Sequence, residues 1–302
     1  MPEKLSREGL TAVVTGASSG IGKGLVQQLA AEGANVVFAA RRTPVIEEME
    51  KELGPNALAV TADVSKEEDI GKLFDAAISR FGKIDVWINN AGVGTYGPFT
   101  ETPLEDLVRT VDVNLLGTIY GSHYALTHFK EKGSGTLINV GSFGGKVALP
   151  YGAVYSGSKY GVAGLSSGMY QEMELEDRKD IHVCAVHPWV TDTPWTYHAG
   201  NYSGHEILVG PADAPEDAVE AIISLIDKPQ ENLDIGLKAK SAAVSDNLMP
   251  GATEKATGKL LAKMLHDAPH SEHTSGSLHM PRPEGTTVSG DLRERLKSKD
   301  KE

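Results

Sequence analysis

The sequence predicts an α/β fold, a doubly wound parallel sheet with helices on both faces. Three observations predict it. Short, continuously apolar, β-branched runs recur from the start of the chain, without the polar alternation of a half-exposed strand. Longer segments with apolar residues at helical spacing separate them. A glycine-rich turn joins the first run to the first helical segment. In order, Leu10 to Thr15 reads as a strand, and a helix carrying Leu25, Val26, Leu29 and Ala30 follows until Gly33 stops it. Val36 to Ala40 is the second strand, Val45 to Leu53 a helix, and Leu58 to Thr61 the third strand. Lys66 to Phe81 places Ile70, Leu73, Phe74, Ala77 and Ile78 on one helical face, and Ile84 to Ile88 is the fourth strand. Two helices follow, near Pro103–Leu115 and Gly117–Lys130. Strands at Thr136 to Val140 and Ile181 to Val186 bracket a long helix from Ala153 to Glu176. A helix at Glu216 to Ile226 and a weak strand at Leu233 to Leu237 close the sheet. Continuous apolar strands separated by helices need both sheet faces covered, which a parallel sheet provides.

The expected organisation is a catalytic domain over 1–238, with an irregular segment at 188–215 acting as a substrate lid, and a C-terminal extension over 239–302. The extension reads as partly helical near Thr257–Leu265, with a mobile end. With 41 acidic against 29 basic residues in 302, the net charge of −12 argues against nonspecific nucleic-acid binding. No apolar run approaches the ~18 residues of a membrane span. The one cysteine, Cys184, sits in a strand pattern as a small core residue and suits a reducing, cytoplasmic compartment.

Gly16, Ser18, Ser19, Gly20, Ile21 and Gly22 form the turn between strand and helix. Glycines there let a diphosphate approach the backbone, and the helix start offers free N–H groups and a positive dipole end. An acid closing the second strand would accept hydrogen bonds from a ribose 2′-hydroxyl. Here Ala40 holds that position and Arg41 and Arg42 follow, so the expected cofactor is NADP(H), with its 2′-phosphate met by guanidinium and Arg41 the principal contact. Tyr155 and Lys159 lie four apart at the start of the long helix, on one face, where an ammonium lowers the pKa of a phenol toward the working range.

Taken together and in order, these motifs resemble the short-chain dehydrogenase/reductase family through about the first 195 residues: Thr15–Gly22, Asp63-Val64, Asn89 through Gly92, Asn114, Ser142, and Tyr155 with Lys159. The resemblance implies a Rossmann-like oxidoreductase in which Tyr155 transfers a proton to or from the reacting oxygen. It implies that Ser142 hydrogen-bonds that oxygen, that Lys159 binds the nicotinamide ribose and tunes the phenol, and that Asn114 holds a water linking Lys159 to solvent. Asp63 and Val64 would flank the adenine, and Asn90, Ala91 and Gly92 would lie along the cofactor; Asn89 reads as structural. The family usually carries Pro-Gly after the sixth strand, then a Val and a Thr that reach the nicotinamide amide. This chain has Trp189 after Pro188, leaving the amide contact to Thr191 or Thr193, with the family register favouring Thr193. Family members commonly form homodimers or homotetramers.

Val93, Phe143, Tyr151, Trp189 and Trp195 are expected around a pocket for a medium-sized apolar or aromatic carbonyl substrate. The histidines His266, His270, His273 and His279 lie among Ser, Gly and Pro and read as a solvated tail, so no metal is expected. The competing reading is a non-catalytic NADP-binding sensor on the same fold.

Overall fold

The computed structural model describes residues 6–236 and 250–299. Its centre is a seven-stranded parallel sheet of β1 (Thr11–Thr15), β2 (Asn35–Ala40), β3 (Ala57–Thr61), β4 (Val86–Asn89), β6 (Gly135–Val140), β7 (Ile181–Pro188) and β9 (Asn232–Ile235). The spatial order is β3-β2-β1-β4-β6-β7-β9, with Val14 of β1 paired to Phe38 on one side and Ile88 on the other. The order reverses between β1 and β4. Crossovers run to opposite faces from that point, which opens a crevice at the carboxyl ends of these strands.

The helices are α1 (Gly20–Ala31), α2 (Thr43–Leu53), α3 (Glu67–Phe81), α4 (Leu104–Val111), α5 (Gly117–Lys132), α6 (Ala153–Leu175), α7 (Trp195–His198), α8 (Pro215–Asp227), α9 (Pro250–His266) and α10 (Leu292–Lys299). One apolar cluster joins Leu25, Val26 and Leu29 of α1 to Ile222 and Leu225 of α8. On the other face, Ile70 and Leu73 of α3 and Phe129 of α5 pack with Trp87 and Leu137. The two helices expected near 103–130 form one continuous run, because a π-helical turn at Asp112–Leu116 bridges α4 and α5 without a break.

A second, two-stranded sheet pairs β5 (Thr95–Tyr96) with β8 (Gly200–Asn201), tying the segment after β4 to the expected lid. The domain boundary expected at 238/239 lies outside the described residues. Among the described residues beyond it, the helix expected near Thr257–Leu265 lies within α9, and parts of the segment expected to be solvated are packed against the domain. Leu261 and Leu265 of α9 are buried, Leu278 and Leu292 have no exposed surface, and His279 pairs with the buried Asp106 at 2.6 Å. Among the described residues no helix is long and apolar enough to cross a membrane, and no group of three metal-ligating side chains gathers.

Candidate active site

A cavity of about 340 Å³ runs along the crevice, within the usual range for small-molecule sites. One end is the β1–α1 turn. Gly16 has φ +70°, and a β-carbon on it would lie 2.6 Å from Ala91 Cα; one on Gly22 would lie 2.4 Å from the Gly16 carbonyl oxygen. Only glycine lets the loop, the helix start and the β4 loop pack this closely. Asn90 completes the joint: its Nδ2 donates to the Thr15 carbonyl at 2.9 Å, and its N–H donates to Thr15 Oγ1. Gly16, Ser18, Ser19, Gly20, Ile21, Gly22, Arg41, Arg42, Asp63, Val64, Asn90, Ala91 and Gly92 all line this part of the cavity.

At the far end of β2 the two arginines point into the crevice. Arg42 donates to the Ser18 and Ser19 hydroxyls. Asp63 is held by Arg109, a residue no sequence pattern singled out, in a 2.6 Å ion pair. Burial alone would raise the Asp63 carboxyl; the hydrogen bonds from Arg109 and Ser65 outweigh it and hold the group below the usual carboxylate range.

The other end gathers the four polar residues expected there. Ser142 caps the short 3₁₀ turn Phe143–Gly145 by accepting from the Gly144 N–H at 3.0 Å. Tyr155, from the first turn of α6, lies beside Ser142: a β-carbon on Gly144 would be 3.2 Å from Tyr155 Cε1 and 3.5 Å from Ser142 Oγ. Lys159, one turn later and buried, donates to the Val140 carbonyl at 2.8 Å. Asn114 lies in the π turn: its Oδ1 accepts from the Val93 N–H and its Nδ2 donates to the Val93 carbonyl and to Ser158 Oγ, each at 2.9 Å. The extra residue of the π turn is what brings this amide onto the β4 loop, and π turns are frequent at functional sites. A β-carbon on Gly92 would be 3.5 Å from Lys159 Nζ and 3.6 Å from Asn114 Oδ1, so these groups converge on one bare stretch of backbone.

The electrostatics differ from the simple expectation that the ammonium lowers the phenol. Burial raises the Tyr155 phenol above its ordinary value, against the opposing influence of the neighbouring Ser142 hydroxyl. Burial also depresses the Lys159 ammonium to about 8. Between that value and the unfolded lysine's ~10.4 the unfolded chain binds more protons, so this group makes stability rise with pH there, while below about 8 its full cost is present and no longer changes with pH. Lys159→Met is therefore expected to flatten the rise of the melting temperature between pH 8 and 10 and to increase it by several degrees at pH 7, measured by thermal denaturation without added ligand.

Of the residues expected around the substrate, Val93, Phe143, Trp189 and Trp195 line the cavity. Tyr151 does not; it lies on a separate small hollow with Thr95 and Phe99, 41% exposed, at φ +61°. The backbone turns there to start α6, which swings the ring outward. Trp189, in place of the family's glycine, packs on Phe143 with ring centroids 4.4 Å apart, and its indole N–H donates to the Pro211 carbonyl. Trp195 packs against Tyr155 at 5.3 Å and edge-on to Tyr96 at 6.0 Å. Pro188, Thr191 and Thr193 all line the cavity; the Thr193 side chain faces Gly20 of the β1–α1 turn, while Thr191 Oγ1 donates to the Trp189 carbonyl. Sequence reasoning missed Leu149, Ile207 and Val209, and also Leu261 and Met264, by which α9 closes the apolar end. The periodicity near 257–265 indicates a helix but carries no sign of where it docks.

This assembly, a crevice at the strand-order reversal ending in a Ser–Tyr–Lys group, sits within the span matched by the short chain dehydrogenase family model, residues 10–201. The chain belongs to the short-chain dehydrogenase/reductase family. As such it is an oxidoreductase with a Rossmann-like fold. This short-chain dehydrogenase is 36% identical over 272 residues to an uncharacterized oxidoreductase, YxnA, of Bacillus subtilis, covering 87% of this chain and 74% of that one. It is similar in structure to a 3-ketoacyl-(acyl-carrier-protein) reductase from Brucella melitensis complexed with NADH (TM-score 0.67, 32% identity, 76% of this chain and 97% of that one). It is also similar to a short chain dehydrogenase from Burkholderia cenocepacia in complex with NADP (TM-score 0.71, 25% identity, 84% and 99%).

Proposed function

We propose that this short-chain dehydrogenase is NADP(H)-dependent and interconverts a carbonyl and an alcohol, with reduction of a medium-sized apolar or aromatic carbonyl as its working direction. The observation that carries the reading is the gathering of Ser142, Tyr155 and buried Lys159 in the same crevice as two guanidinium groups, with no acid at Ala40. The crevice fits a dinucleotide. Its turn tolerates no side chain at Gly16 or Gly22, and its adenosine end holds positive charge. Bound there, a nicotinamide supplies or accepts hydride.

The chain's own residues do the rest. In reduction the Tyr155 hydroxyl donates its proton to the carbonyl oxygen, and in oxidation it takes the proton back. Ser142 hydrogen-bonds the same oxygen as charge develops on it. Lys159 holds ribose hydroxyls and, as its ammonium, offsets negative charge on the phenol. Asn114 keeps the π turn beside Lys159 and would hold a water that links Lys159 to solvent. Thr191 or Thr193 meets the nicotinamide amide. Trp189, Trp195, Phe143, Val93 and Met264 surround the substrate's apolar body, whereas Arg41, Arg42 and Asp63 belong to the adenosine end, which supports an uncharged substrate. A cytoplasmic homodimer or homotetramer is part of the reading: Leu104 and Val108 of α4 and Leu175 of α6 are exposed apolar side chains suited to a subunit contact.

Turnover of ketones and aldehydes with NADPH and NADH in parallel tests this. NADPH is expected to be preferred, and Arg41→Ala to raise the KM for NADPH by about 10–100-fold while changing that for NADH less than about threefold. Equal effects on the two cofactors would end the NADP(H) assignment, and a preference for small anionic ketoacids would end the substrate assignment.

A further inference from the structure

Residues 276–290 do not lie on the surface as a tail. They are threaded along the adenosine end of the crevice and anchored at both sides. Leu278 is fully buried among the side chains on the α3–α5 face of the sheet, and the Ser277 N–H donates to the His198 carbonyl at 2.8 Å. At the other side the Gly290 N–H donates to the Asp192 carbonyl at 2.9 Å.

Between these anchors the backbone carbonyls turn toward cations. Arg41 donates to the carbonyls of Ser277, Leu278 and His279, and Arg109 Nε also donates to Leu278. Arg42 donates to the carbonyls of Glu284 and Gly285, each at 3.0 Å. Lys23 Nζ reaches the Thr286 carbonyl at 3.0 Å, and the Gly20 N–H at the start of α1 donates to the Thr287 carbonyl at 2.9 Å. The segment does not fill the crevice, because Ser277 and Pro281 line the cavity together with Arg41, Arg42 and Asp63.

The charges do not balance. Three guanidinium groups, Arg41, Arg42 and Arg109, share this corner, and among the described residues only Asp63 forms an ion pair with any of them. Carbonyl dipoles orient a guanidinium but leave its charge uncompensated, so a half-buried pair held this way is prepared for an anion. The two arginines are not equivalent. Of the five N–H donors of a guanidinium, Arg42 spends four on Ser18, Ser19, Glu284 and Gly285, whereas Arg41 spends three on the segment.

We propose that the 277–287 segment is the outer wall of a phosphate subsite, fixing Arg41 so that its remaining donors receive the 2′-phosphate of a phosphorylated dinucleotide, and thereby sets the preference for NADP(H) over NAD(H). The proposal rests on the dinucleotide reading above and adds a specificity determinant more than 230 residues downstream of the arginine it orients. Without the segment Arg41 is a flexible side chain whose ordering counts against binding; with it that ordering is complete beforehand.

The test is calorimetric titration of adenosine 2′,5′-bisphosphate and 5′-AMP into the full chain and two variants. Leu278→Asp removes the buried anchor. Gly285→Val leaves it in place but sets a β-carbon 2.7 Å from His198 Nε2 and 3.0 Å from Pro194 Cβ, at φ +67°. Amide hydrogen exchange across 276–290 identifies the variant in which the segment is released. The unmodified chain is expected to favour the bisphosphate by about 30-fold or more, and release to cut that ratio by about tenfold while 5′-AMP affinity changes less than about threefold. A ratio preserved after release overturns the role of the segment and leaves the NADP(H) reading standing. An unmodified chain that binds 5′-AMP equally well overturns that reading, and this inference with it.

Discussion

Replacing Tyr155 by phenylalanine is expected to lower kcat by about 10³-fold while the dissociation constant of the dinucleotide changes less than about threefold. The ring remains, with its packing on Trp195, so the pocket keeps its shape. What is lost is the hydroxyl beside Ser142, in a site where burial already keeps the phenol protonated. Steady-state turnover and equilibrium binding on the same preparation separate the enzyme from a cofactor-binding sensor. A variant with unchanged turnover would remove Tyr155 from the proton path, and one that no longer binds the dinucleotide would show that the phenol is structural.

The second large effect concerns folding. Asn89, at the end of β4, accepts from the Trp87 indole N–H at 2.8 Å and donates to Asn139 Oδ1 at 2.8 Å, to Ser122 Oγ at 3.2 Å and to the Thr118 carbonyl. Asn139 in turn donates to Ser166 Oγ on α6. One amide thus joins two central strands to helix α5, and through its neighbour to α6, without access to water. Asn89→Ala strands the Trp87 N–H and weakens the Asn139 amide's partners, each a buried loss of about 1–3 kcal/mol. A total near 4 kcal/mol is expected in urea denaturation at unchanged m-value, with no contact of Tyr155 or Lys159 removed. A change below about 1 kcal/mol would mean that the network reorganises around the gap.

How much of this was legible in the sequence follows from where each signal resides. The central strands could be read because a parallel strand buried on both faces must be apolar at every position, as in Val36 to Ala40. That Tyr155, Lys159, Ser142 and Asn114 would gather at one end of the crevice could be read because the resemblance rests on residue type and spacing together. The π turn could not, since its extra residue is set by a tertiary contact between Asn114 and the Val93 backbone. The direction of the Tyr155 shift was misread because spacing gives the distance of a charge but not the depth of burial. The docking of residues 276–290 was invisible for a different reason: its carbonyls make the contacts, and every residue has one. Leu278, a lone aliphatic side chain among Ser, Gly and His, was the only hint, and single apolar residues on a surface are common.

The three tryptophans are distributed in a way that makes the molecule its own optical reporter. Trp87 is sealed behind the sheet with its indole N–H fixed on Asn89, so its emission depends on the integrity of the fold. Trp189 and Trp195 look into the cavity, one on Phe143 and the other on Tyr155, and sense what enters it. Occupancy and unfolding are therefore written into separate chromophores of the same unlabelled chain.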